Sequence, residues 1–212
     1  MAPPLAAENA TSAAAVSPGY LGSTLGFKAE LRALAPALLR REMLTAALGG
    51  LIGAALLLVT PARVFSGIVP WLLLLATALF ALGPRLSALG QGQGHPAMRQ
   101  PGLLLVAIYG GYFNGGLGIL LMALYTLTGE SRLNTVNALK NLNSFVLSWL
   151  SVAAFAWAGA IVWDQALWMM LLATAGGWSG ARLAKRLPTQ GVRKLVIGTG
   201  LLMSAVFFSR LG

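Results

Sequence analysis

Residues 103–127 read LLLVAIYGGYFNGGLGILLMALYTL, an apolar run with five glycines between positions 110 and 118. The run is long enough for a helix to cross the hydrocarbon core of a bilayer. Each glycine inside a helix, however, costs roughly 1 kcal/mol relative to alanine. Either the glycines let neighbouring helices pack closely, or the helix breaks near Asn114 and presents backbone N–H groups to a ligand. The density of glycine around an asparagine favours the break.

The rest of the chain has the composition of an integral membrane protein. Of its 212 residues, 57% are hydrophobic and only 9% are charged, with a mean hydropathy of +0.76, whereas soluble domains carry about 25% charged residues. The net charge of +10 comes mostly from basic residues that flank apolar runs, as membrane anchors do. Lipid is therefore the expected partner, and nucleic acid is not.

Seven apolar runs have, or nearly have, the length of a membrane-crossing helix. Because they show no strand-like alternation, and only helices or closed barrels cross lipid, we predict an all-α, polytopic membrane protein with about seven transmembrane helices. The runs are 10–27, 43–60, 66–82, 103–127, 135–162, 166–183 and 194–208. With seven crossings, basic residues fall on both sides of the membrane, so the positive-inside rule gives no orientation.

The chain contains an internal duplication. MLTAALGGLIGAALLLVTP at 43–61 and MLLATAGGWSGARLAKRLP at 170–188 share nine residues at a spacing of 127, including three glycines and the final proline. We predict two transmembrane repeats, residues 1–83 and 102–212, joined by a polar linker at 84–101. Gly49 and Gly53, and their counterparts Gly176 and Gly180, are expected to allow close helix packing. Repeated halves with interrupted helices are typical of transporters, whose sites lie between the repeats.

A polar segment, NTVNALKNLNS at 134–144, follows the glycine-rich run. On a helix, four of its polar side chains form one stripe. Asn134 extends this stripe, and Asn143 lies off it. The members of the stripe are Asn137, Lys140, Asn141 and Ser144. Two interpretations remain open. In the first, the stripe faces a polar cavity, because a lysine facing lipid costs about 2.5–3.5 kcal/mol at the membrane centre. In the second, the Lys140 ammonium reaches the nearby membrane surface.

The acidic residues all fall near predicted helix ends or in loops: Glu8, Glu30, Glu42, Glu130 and Asp164. We therefore expect no carboxylate in the membrane interior that could bind a cation or relay protons. Amides, hydroxyls, glycine N–H groups and one lysine suit an oxyanion instead. The chain has no cysteine, and His95 lies in a polar segment, so we predict no metal site, no cofactor and no enzymatic activity.

Together these elements resemble the sulfite exporter TauE/SafE family of membrane permeases. The resemblance covers nearly the whole chain and rests on NATS at 9–12, YGGYFNGGLG at 109–118, NALKN at 137–141 and GGWSGARLAKRLP at 176–188. It implies a multi-pass plasma-membrane protein, of the bacterial inner-membrane kind, that moves small and often sulfur-containing anions such as sulfite or organosulfonates. An accessory membrane subunit without transport activity of its own is the alternative.

The resemblance also implies which residues bind the substrate. They are Asn9, Thr11, Gly110, Gly111, Asn114, Gly115, Gly116, Gly118, Asn137, Lys140 and Asn141. Ser12 joins them because it corresponds to Lys140 in the first repeat, although Asn9 or Thr11 could equally serve as a simple helix N-cap.

Members of the family carry a glycine-rich segment before the first-half NATS element as well. An offset of 128 maps Met1 onto Gly129, so the first repeat is expected to lack a partner for the glycine-rich helix. We therefore expect an exposed apolar groove at that place, and residues 9–12 without the glycine loop that they would face.

Overall fold

The computed structural model describes residues 4–89, 95–184 and 189–209, which are helical almost throughout. Within these residues it has nine α-helices: α1 (Pro4–Gly26), α2 (Lys28–Arg32), α3 (Pro36–Val59), α4 (Ala62–Leu89), α5 (Arg99–Tyr112), α6 (Leu117–Leu127), α7 (Leu133–Trp157), α8 (Trp163–Ala184) and α9 (Thr189–Ser209). A 3-10 turn, Pro96–Met98, precedes α5. The prediction of an all-helical protein is confirmed for the described part of the chain.

Prolines decide several of the helix boundaries and one irregularity. Pro36 opens α3 at its first turn, where the missing N–H has no helical acceptor to lose. α3 ends at Val59, and Thr60 before Pro61 is extended, with a ψ of 122°, because the proline ring disfavours the helical conformation of the preceding residue. Inside α1, Pro18 cannot donate to the carbonyl of Ala14, and the Ser17 hydroxyl donates to that carbonyl instead, at 2.9 Å.

Residues 103–127 form two helices rather than one. α5 ends at Tyr112 and α6 begins at Leu117. Between them Asn114 and Gly116 adopt left-handed backbone conformations, with φ of 62° and 73°. The expected break near Asn114 is therefore confirmed.

The two helices run antiparallel, so the segment is a helical hairpin with its tip at residues 113–116. At its base, the backbone N–H of His95 donates to the carbonyl of Leu127 at 3.3 Å. The Arg99 guanidinium lies 5.1 Å from the centre of the Tyr125 ring. The start of α5 and the end of α6 thus lie at the same end of the bundle, which we call the base end. Residues 103–127 are thus two antiparallel helices, and the seven predicted crossings are not confirmed.

The helix lengths agree with a hairpin formed by α5 and α6. The long helices α1, α3, α4, α7, α8 and α9 have 21 to 28 residues, or about 32–42 Å at 1.5 Å per residue, enough to cross a bilayer core of about 30 Å. α5 and α6, with 14 and 11 residues, reach only about 21 and 17 Å. Two segments, Pro36–Val59 and Arg63–Leu82, are candidate spans by length and composition alone.

The packing follows the duplication. By the duplication, α1, α3 and α4 correspond to α7, α8 and α9. The contact of α3 with α7 therefore corresponds to the contact of α8 with α1, and both are observed. The pairs α1–α7 and α4–α9 each consist of two corresponding helices, and both pairs also pack together. Thr11, near the start of α1, bonds to Val162, just after the end of α7, so corresponding helices run in opposite directions. Opposite directions are what the inverted repeats of many transporters would give.

Among the described residues, the first repeat has no pair of helices that corresponds to the hairpin. A Cβ added at Gly49 of α3 would lie 2.5 Å from the Ala107 side chain of α5, whereas a Cβ at the corresponding Gly176 of α8 would meet nothing within 4 Å. Apolar side chains of this part of α8, such as Trp168 and Leu172, are exposed. The packing role is confirmed for Gly49 and Gly53 but wrong for Gly176, and Gly180 lies outside the residues whose surroundings are described.

The linker predicted at 84–101 is helical at both ends, since α4 continues to Leu89 and α5 begins at Arg99. Arg99 and Gln100 also make side-chain hydrogen bonds inside the bundle. Residues 84–89 and 99–101 of the predicted linker are thus helical. The division into two repeats stays a prediction.

Candidate functional site

The hairpin tip lies inside the bundle, surrounded by α1, α4 and α7. From α1, Asn9 donates its side-chain N–H to the carbonyl of Tyr112 at 3.0 Å. A Cβ at Gly116 would lie 3.0 Å from the Ala76 side chain, halfway along α4. Asn9 thus contacts the end of α5, beside the tip of the second repeat. The expectation that residues 9–12 lack the corresponding glycine loop of the first repeat stays a prediction.

The tip presents backbone N–H groups that nothing else uses. Asparagine, the residue at position 114, is one of the few residue types that tolerate a left-handed backbone conformation. After it, the amide N–H groups of Gly115, Gly116 and Gly118 have no acceptor within the described residues. They stand at the N-terminus of α6, where free N–H groups and the helix dipole favour a negative charge. The Tyr109 hydroxyl donates to the carbonyl of Gly115 at 2.6 Å and so satisfies that acceptor.

Lys140 lies against this end of α6. Its Cδ atom would be 3.7 Å from a Cβ at Gly118, an ordinary contact distance, so the lysine stem packs beside the first turn of α6. The residue is half-buried, and no acidic side chain in the described ranges pairs with it. The contact with α6 supports the polar-cavity interpretation of the α7 stripe.

The same face of α7 carries further polar groups without partners. Asn141 is 6% exposed, and Ser144 and Ser148 are 1% and 2% exposed. Among the described residues, the hydroxyls of both serines and the side-chain oxygen of Asn114 find no hydrogen-bond partner. Asn137, also on this face, is half-buried. Ser148 was missed in the sequence, although its spacing of four from Ser144 extends the stripe by a turn.

The remaining sequence-predicted site residues, Thr11, Ser12, Gly110 and Gly111, make contacts away from the tip. The Thr11 hydroxyl accepts a hydrogen bond from the backbone N–H of Val162 at 3.1 Å, which holds the turn before α8. Ser12 is exposed. A Cβ at Gly111 would lie 2.3 Å from the carbonyl oxygen of Gly50, and one at Gly110 would press on the Leu117 side chain. Close packing is thus the role of these two glycines, while the later glycines form the tip.

Residues 1–207 match the family model described as Sulfite exporter TauE/SafE. The chain belongs to this family. Searches of curated proteins and of solved structures found no match. Membership in a transporter family makes the protein a membrane transporter of small anions in general terms, as the resemblance implied.

One feature of this TauE/SafE protein was not predicted from the sequence: a carboxylate near the start of α3 is buried inside the bundle. Glu42 of α3 is 0% exposed. One of its oxygens accepts from the Arg99 Nε at 2.7 Å and from the Gln100 amide at 3.3 Å. The other accepts from the Tyr125 hydroxyl at 2.6 Å and from the Asn143 amide at 3.1 Å.

This cluster ties the base of the hairpin to the bundle. Arg99 comes from α5 and Tyr125 from α6, so Glu42 and Asn143 hold both legs against α3 and α7. Because Arg99 neutralises the carboxylate and four donors surround it, Glu42 is not free to bind a cation. Asn143, which lies off the α7 stripe, belongs to this cluster and not to the tip.

Proposed function

We propose that this TauE/SafE protein moves a small, sulfur-containing oxyanion of the sulfite or organosulfonate type across the bacterial plasma membrane, and that the anion binds at the hairpin tip. The observation that carries the proposal is the position of Lys140, a cation without an acidic partner, against the first turn of α6. A positive charge and unused N–H groups at one place suit an anion.

Each group in the site has a definite task. The N–H groups of Gly115, Gly116 and Gly118 donate to the oxygens of the anion, and Lys140 balances its charge. Ser144 donates from the facing side of α7, and the amides of Asn137 and Asn141 replace water along the approach. Such charge-assisted hydrogen bonds are about twice as strong as neutral ones and offset the removal of the anion from water.

Replacing Lys140 tests the proposal. Lys140→Ala removes the charge, and the loss of a charge-assisted hydrogen bond of about 1.5–3 kcal/mol should weaken anion binding about ten- to a hundredfold. The measurement is the uptake of sulfite and of a short alkanesulfonate into proteoliposomes, with choline as a cation that should not be moved. Lys140→Arg keeps the charge, but its planar fork does not match a site shaped for an ammonium, so only partial uptake is expected.

Lys28→Ala is the matched control, because Lys28 is exposed on the short helix α2. It should leave uptake unchanged. Uptake by Lys140→Ala at the rate of the unaltered protein would contradict the site. A folded, unaltered protein that moves no anion at all would favour the accessory-subunit alternative.

A further inference from the structure

A row of polar side chains on α7 leads from the hairpin tip to a surface cleft. The cleft has a volume of about 570 Å³ and lies between α2 and the start of α7. It is lined by Glu30, Ala33, Ser131, Arg132, Leu133, Asn134 and Thr135. Glu30 is the acidic residue in this lining, and Arg132 is held by Glu130 at 3.6 Å. The cleft opens at the base end of the bundle, where α7 begins.

The row continues inward from the cleft at helical spacing. Its members are Asn134, Asn137, Asn141, Ser144 and Ser148, three and four residues apart in turn, which keeps them on one face of the helix. Their exposure falls along the row: Asn134 is exposed, Asn137 is half-buried, and Asn141, Ser144 and Ser148 are 6%, 1% and 2% exposed. No member is charged, and Lys140 lies beside its inner half.

The two inner serines differ from most other hydroxyl residues in these helices. Ser151, one turn beyond, donates to the Leu147 carbonyl of its own helix at 2.7 Å, and Thr77 and Thr126 likewise donate to Leu73 and Met122 at 2.7 and 2.9 Å. Ser144 and Ser148 do not, and their hydroxyls have no partner in the part of the chain that the structure describes. A buried hydroxyl without a partner costs about 1–3 kcal/mol, so water or a passing solute must satisfy two of them in adjacent turns.

We infer that this row is a hydrated path along which anions move between the cleft and the hairpin tip. Asparagine side chains donate and accept, so they can replace the water around an anion near the mouth. The serines donate farther in, where Lys140 supplies the charge. The identity of the cargo rests on the proposed function, whereas the existence of the path does not.

The chain itself provides the test, because it has no cysteine. Each of the five row positions is replaced singly by cysteine in the full-length chain, reconstituted in liposomes. Modification by membrane-impermeant methanethiosulfonates, one with a sulfonate and one with a trimethylammonium group, is then measured. We expect all five to react from the base end, more slowly with depth. At Asn141, Ser144 and Ser148 the anionic reagent should react about tenfold faster than the cationic one, because a positive site concentrates anions.

Trp149→Cys is the control for depth. It neighbours Ser148 on α7 but is 44% exposed on the outer surface, where lipid excludes charged reagents, so neither reagent should modify it. If Asn134→Cys reacts but Ser144→Cys and Ser148→Cys do not, the path is wrong even if the protein transports anions. If all five react with the expected charge preference but the unaltered protein moves no anion, the path stands and the proposed function fails.

Discussion

Each oxygen of the Glu42 carboxylate accepts two hydrogen bonds inside the bundle. Burying a charge is tolerated when it is paired and its lone pairs are used. Removing the carboxylate would leave the Arg99 guanidinium, whose side chain is only 17% exposed, without its counter-charge. At the scale of the residue, Glu42 is therefore a structural ion and not a transport group.

Glu42→Ala should lower the free energy of unfolding by about 3–5 kcal/mol, as breaking a buried ion pair does. Glu130→Ala is the control, because its partner Arg132 is 70% exposed and surface pairs contribute about 0–1 kcal/mol. Thermal unfolding of both variants in detergent measures the difference. Equal shifts in the melting temperature would show that the buried cluster does not hold the hairpin.

At the scale of the element, the hairpin packs on α3 through glycines that bring the two backbones into contact. A Cβ at Gly111 would lie 2.3 Å from the carbonyl oxygen of Gly50, and one at Gly53 would lie 2.2 Å from the carbonyl oxygen of Ile108. Backbone atoms cannot move aside as a flexible side chain can. The position of the tip therefore depends on the absence of side chains along this seam.

Gly111→Ala should destabilise the protein by about 1–3 kcal/mol or more through overpacking. Gly198→Ala in α9 is the matched control, since a Cβ there would meet nothing within 4 Å, and alanine should stabilise the helix by up to about 1 kcal/mol. Melting temperatures of the two variants should move in opposite directions. A Gly111→Ala protein as stable as the unaltered chain would contradict the tight seam.

At the scale of the whole molecule, the hairpin changes the membrane topology. We expect six crossing helices instead of seven, because the hairpin folds back on itself. Both ends of the described chain then lie opposite the base end. Arg63 lies at that opposite end. Most basic residues of the described helices and turns fall near the base end instead: Lys28, Arg32, Arg40, Arg41, Arg85, Arg99, Arg132, Arg182, Arg193 and Lys194. The positive-inside rule, which gave no answer for seven crossings, then predicts that the base end faces the cytoplasm.

Both termini are accordingly expected outside the cytoplasm. Fusions of alkaline phosphatase, which is active only outside, should be active at either terminus, and fusions of green fluorescent protein exported through the same route should stay dark. A phosphatase fused to the turn after α6, near Glu130, should be inactive. If the two termini report opposite sides, residues 103–127 cross the membrane and the hairpin is wrong.

Much of this architecture was readable in the sequence because it depends on local composition. Apolar runs predict the long helices, the glycines around Asn114 predict the break, and the repeated segment at a spacing of 127 predicts the paired halves. The stripe with Lys140 follows from helical periodicity. These features need only the residues within a few turns of each other.

Only the tertiary structure decided the direction that the chain takes after the break. A glycine-rich break allows a helix to continue or to fold back, and the choice depends on contacts that α6 makes with α5 and α7. The Glu42 cluster joins residues 57 to 101 positions apart, and no local pattern pairs them. Whether a serine hydroxyl bonds to its own helix or faces a path is likewise settled by packing, because the free energy of a buried polar group depends on neighbours brought from elsewhere in the chain.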